Sequence, residues 1–63
     1  MRLSELTPAE LEPIARARIA EVKRTNFDDW KALQACEEVE WEYCRRYLYP
    51  EWFRIWESVK ADD

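Results

Sequence analysis

Two cysteines and a run of glutamates are the residues whose types could do chemistry. Cys36 and Cys44 are the only thiols, and thiols can pair as a disulfide, hold a metal or attack a substrate. Their spacing on a single helix sets the Cα atoms about 12 Å apart, whereas a disulfide needs less than about 7 Å. With no His and no CxxC pair, a zinc site has no ligand set, so both are expected as reduced thiols. Glu37, Glu38, Glu40 and Glu42 would suit a carboxylate metal centre or an acid-base pair. Helical di-metal sites also draw on Glu-x-x-His pairs, and working carboxylates need a pocket that shifts their pKa values. A solvated acidic strip is the expectation, with Glu42 spaced for ion pairs to Arg45 and Arg46. A chain with no His lacks the commonest general base, and one with no Gly cannot build a phosphate-cradling loop. No catalytic, cofactor-binding or metal-ligating residue is therefore expected, and no enzyme.

Arg16, Arg18, Lys23 and Arg24 raise a second possibility, contact with phosphate. They make residues 13–24 net +3, while residues 25–63 are −5 and the whole chain is −4. An acidic protein has little long-range attraction to nucleic acid, so the economical reading is a basic helix packed on an acidic one. A small DNA-binding regulator using these four residues stays as the alternative. Arg18 falls inside the apolar arc of its helix, where its stem would lie on the core and its head reach a carboxylate at the edge.

These groups must be carried by a single domain of 63 residues, 48% of them hydrophobic, a share that excludes disorder despite the charge. Thr7, Pro8 and Glu10 spell a helix start. Pro13 lacks a backbone donor and clashes one turn back, so residues 7–12 read as a turn and the first helix as 13–24. Its face is Leu11, Ile14, Ala15, Arg18, Ile19 and Val22, within about 140° of arc. Thr25-Asn26-Phe27-Asp28-Asp29 supplies the turn, with Asn26 in the left-handed conformation or capping the next helix. A long helix over 27–49 follows, antiparallel to the first as a hairpin. Pro50 then breaks it, and a C-terminal helix covers 50–60, with the last residues fraying.

The long helix has two apolar faces. Phe27, Trp30, Gln34, Glu37, Trp41, Cys44 and Leu48 are spaced 3, 4, 3, 4, 3, 4, the repeat of a coiled-coil seam, with Gln34 and Glu37 as its imperfect positions. Ala32, Cys36, Val39, Tyr43 and Tyr47 form a second stripe on nearly the opposite side. One face can pack on the first helix; the other lacks cover, and so short a chain has little burial to spare. Self-association as a dimer or trimer is expected, with Phe27, Trp30, Trp41, Cys44, Leu48, Tyr43 and Tyr47 at the interface. Seven aromatics lie between residues 41 and 56, and Trp and Tyr are enriched at binding hot spots. Trp52, Phe53 and Trp56 are therefore the expected surface for a partner protein. No apolar run is long enough for a membrane span or a signal peptide, so a cytoplasmic protein is expected.

The stretch Glu5-Leu6-Thr7-Pro8-Ala9-Glu10-Leu11-Glu12-Pro13, then Asn26-Phe27-Asp28-Asp29-Trp30-Lys31-Ala32-Leu33, then Trp41-Glu42-Tyr43-Cys44-Arg45-Arg46-Tyr47 resembles the small early proteins encoded by short open reading frames in the exo-xis region of lambdoid phages. The resemblance covers essentially the whole chain and rests on overall likeness, not on a functional motif. It implies an early lytic-phase accessory protein in the host cytoplasm, acting on the lysis-lysogeny choice or on prophage induction. It brings no site residues with it.

Overall fold

A computed structural model of the chain describes residues 2–60. Its regular structure is helical throughout, as expected: a 3₁₀ turn at Leu3–Glu5, then α1 (Pro8–Arg24), α2 (Trp30–Arg45) and α3 (Tyr49–Ser58). Of the C-terminal residues expected to fray, Lys60 lies beyond α3, and residues 61–63 fall outside the described part.

The boundaries have local causes; the end of α1 at Arg24 is the expected one, and three others correct expectations. The first helix starts at Pro8, not Pro13. Thr7 caps it through a full capping box, its hydroxyl accepting from the Glu10 N–H at 3.2 Å while the Glu10 carboxylate accepts from the Thr7 N–H at 2.9 Å. Those two bonds hold the Glu10 carboxyl below its usual pKa. Pro13 is tolerated because the bond it cannot make is the one to the Ala9 carbonyl, and Ala9 is exposed, where water substitutes. Asp29 caps α2 by accepting from the N–H groups of Lys31 and Ala32, which excludes Phe27 from that helix. At the other end α2 stops at Arg45. Pro50 has no N–H for the Arg46 carbonyl, and its ring would strike that carbonyl if the helix ran on.

Both helix ends are closed without glycine. The Phe27 N–H bonds the Val22 carbonyl at 3.0 Å and the Asn26 N–H that of Lys23 at 3.1 Å. The Leu48 N–H bonds Tyr43 at 2.8 Å and the Tyr47 N–H bonds Cys44 at 3.0 Å. Each is the paired closure of a Schellman motif, which puts Asn26 (φ 56°) and Tyr47 (φ 60°) in the left-handed region; Phe27 (φ 62°), one residue further on, is left-handed as well. Of the two roles open to Asn26, the structure shows the left-handed one, and Asp29 takes the cap of α2. Tyr47 was expected at an interface, and its 88% exposure follows from its place as the residue that ends the helix.

The core takes Leu11, Ala15, Ile19 and Val22 from α1, Ala32, Cys36, Val39 and Tyr43 from α2, and Trp52 and Ile55 from α3, with Leu6 beneath. α3 packs on both earlier helices. The Tyr43 and Trp52 rings lie 5.4 Å apart, those of Trp52 and Trp56 6.3 Å, and those of Phe27 and Trp56 6.1 Å. Of the two apolar faces of the long helix, the Ala32, Cys36, Val39 and Tyr43 stripe is thus the one covered from within the chain. Tyr43, 2% exposed, and Trp52, 3% exposed, are core residues and not docking residues. Trp56 and Leu48 pack partly buried against that core. Arg18 is exposed at the edge of its face, because the buried arc centres on Ala15 and Val22.

A Trp52→Ala variant should lose about 3–5 kcal/mol, as large-to-small changes in a core do. That is most of the roughly 3–9 kcal/mol expected for a domain of this size. Urea unfolding followed by circular dichroism reads the loss; a change under about 1 kcal/mol would contradict the packing. Tyr47→Gly should instead raise stability by about 1 kcal/mol, the left-handed strain relieved less the entropy glycine adds to the unfolded chain.

Candidate functional site

Opposite the core-facing stripe of α2 lies a face that the other described residues leave largely uncovered. Trp30 is 67% exposed and Trp41 74%, and Gln34, Glu37 and Glu38 between them are also exposed. The 3.6-residue period puts Trp30, Gln34, Glu37 and Trp41 on one narrow strip. Gln34, Glu37, Glu38, Glu40, Trp41, Cys44 and Tyr49 line an open groove of about 510 Å³. Indole and phenol form its apolar wall and three carboxylates its acidic one.

Of the seven residues expected at an interface, this face brings together Trp30, Trp41 and Cys44. Tyr43 and Leu48 turn to the core, Tyr47 closes α2, and Phe27 stands on the inter-helix turn against Trp56. Of the three expected on a partner surface, only Phe53 is exposed.

The two thiols separate by environment. Cys36 is buried, and burial, with Glu40 and Glu37 near it, pushes its thiol up to about 11. Cys44 is half-buried in the groove wall. Its thiol, close to Tyr49, holds the Tyr49 hydroxyl above its ordinary pKa. Among the described residues no group of three or more His, Cys, Asp or Glu side chains converges as a metal ion would need.

Glu42 departs from the acidic strip. Its side chain is nearly buried, accepts from Arg46 Nε at 2.9 Å and pairs with Arg45. The Arg45 hydrogen bond leads, with Arg46 helping, in holding its carboxyl below the usual range against the cost of burial. Arg46 also donates to the Leu3 carbonyl at 2.9 Å, tying the N-terminal turn to the end of α2. Sequence reading expected the two ion pairs and missed this tie, since no local pattern links residues so far apart.

The basic residues of α1 are mostly occupied. Arg16 makes two bonds to Glu12 and one to the Ser58 hydroxyl at 2.8 Å. Lys23 Nζ donates to the carbonyls of Trp56 and, at 2.9 Å, Val59, and stands 4.8 Å from the Trp56 ring centroid. Arg24 pairs with Glu21. Arg18 alone of the four is exposed with no ion pair among the described residues. The ion pair found between helices joins Glu12 of α1 to Arg54 of α3 at 3.8 Å, the reverse of a basic helix set on an acidic one. No helix of the described residues is long and apolar enough to cross a membrane. Compared with protein-family models, with curated proteins and with solved structures, the chain matches none.

A chromogenic disulfide reagent at pH 8 should titrate one thiol of the native protein, Cys44, and a second only after unfolding. A Cys44→Ser variant that still reacted promptly when folded would contradict the burial of Cys36.

Proposed function

We propose that the chain is a non-enzymatic protein-interaction module whose working surface is the outer face of α2. The observation that carries this reading is the exposure of Trp30 and Trp41 on one strip of a helix whose opposite face already completes the core. Most of each indole stays in water, and two such rings on one strip are of the residue type that dominates binding hot spots. A homo-oligomer and a phage or host protein are both partners of the kind such a surface takes. The alternative, a DNA-binding regulator, draws on Arg16, Arg18, Lys23 and Arg24, three of which are engaged by Glu12, by the end of α3 and by Glu21. The resemblance to the exo-xis early proteins supports a place for the module in the host cytoplasm, modulating lytic development or prophage induction.

Expression of the wild type in a lambdoid lysogen should change the fraction of cells induced after DNA damage. A Trp30→Ala/Trp41→Ala variant, folded by circular dichroism, should not. A double variant as active as wild type would remove the outer face from the function, and an inert wild type would remove the phage role. Salt-sensitive binding to DNA would return the alternative.

A further inference from the structure

We propose that the outer face of α2 is occupied by a second copy of the chain, packed antiparallel about a two-fold axis so that Trp30 of each protomer enters the groove floored by the partner's Trp41. The proposal rests on the reading of that face as an interaction surface and names its occupant.

An isologous dimer requires a surface complementary to itself, and the outer strip of α2 meets that requirement. Trp30, Gln34, Glu37 and Trp41 are spaced 4, 3, 4, a pattern that reads the same in both directions. Two copies running in opposite directions, with the midpoint of that pattern in common, set Trp30 opposite the partner's Trp41 and Gln34 opposite the partner's Glu37. The two-fold axis repeats both layers. At the centre, the Gln34 amide can donate to the Glu37 carboxylate. A parallel pair would instead set Glu37 against its own copy in the middle of the seam, like charge against like.

The groove has the matching shape. Glu37, Glu40, Trp41 and Cys44 stand at i, i+3, i+4 and i+7, the four-residue diamond that receives one knob in helix-to-helix packing. The register places Trp30 of the other copy over this diamond. Its indole finds the Trp41 ring to pack on, and its N–H faces two carboxylates able to accept it.

The flanks supply the charge match. In an antiparallel pair, like flanks of the two helices face each other. The flank beside Trp30 and Gln34 carries Lys31 and Glu38, so Lys31 of each copy meets the partner's Glu38. Both are exposed, and neither has an ion-pair partner in its own chain among the described residues.

Sedimentation equilibrium between about 10 and 500 µM, a range that captures weak dimers, tests this directly. The wild type should sediment as a monomer-dimer equilibrium, with Trp30→Ala and Trp41→Ala each weakening association by about tenfold or more. Lys31→Glu and Glu38→Lys should each weaken it by about threefold to tenfold, and the two together should restore it. All four sites are exposed, so these variants keep the fold. Reaction of Cys44 with a thiol reagent should slow as concentration rises, because the partner's Trp30 covers it. A wild type that stays monomeric throughout overturns the proposal, and charge reversals that fail to compensate overturn the antiparallel register. A monomer whose tryptophan variant still loses its effect on induction would overturn the second copy alone and leave the interaction face standing.

Discussion

The burial of one stripe of α2 beneath both of its neighbours decides what the rest of the surface can do. α2 carries apolar residues on two opposed sides, and a helix of that kind has two ways to satisfy itself. Because α1 packs along the stripe of Ala32, Cys36, Val39 and Tyr43 and α3 folds back to add Trp52 and Ile55 to the same core, that stripe becomes the inside. The Trp30 and Trp41 strip becomes the outside by elimination. The division of labour between folding and binding is thus set by residues of α1 and α3, on neither face of α2.

Tight connections in a chain without glycine require other residues to adopt the left-handed backbone. Asn26 does so at little cost. Phe27 and Tyr47 do so at about 1–2 kcal/mol each, offset where the following contacts are good: Phe27 lies against Trp56, and Leu48, just after Tyr47, packs on the core. The side chains just past the ends of α1 and α2, Phe27 and Leu48, therefore pack back onto the rest of the fold. Long-range polar ties act likewise. Lys23 holds the last carbonyls of α3 from α1, Arg46 holds the N-terminal turn from α2, and Arg16 reaches Ser58.

Much of this was legible in the residues. The all-helical class, the start signal at Thr7, the turn at Asn26, the two stripes on the long helix and the Glu42 ion pairs all follow from local rules of period and capping. What escaped was non-local. Nothing near Pro13 announces that its missing bond falls on a solvated carbonyl, and nothing between Phe27 and Tyr49 announces a stop at Arg45, because Pro50 acts four residues upstream. Trp52 and Trp56 were misplaced for a further reason. Their helical spacing fits a core stripe and a docking stripe equally well, and only the return of α3 onto Tyr43 distinguishes the two. For the outer face, the exposed tryptophans were legible as members of a seam, though not as distinct from Tyr43, Tyr47 and Leu48.

The placement of the closing helix has a consequence for how the fold opens. α3 has no side-chain cap of its own at Leu48, and Lys23 holds its far end from α1, so it takes its order from the two helices it packs on. It is the helix with the fewest means of standing alone, and local opening begins there. Each opening uncovers the Tyr43 and Trp52 rings together and gives the molecule, for that moment, a second adhesive side. The bonds from Lys23 to the end of α3 therefore guard against aggregation as much as they add stability.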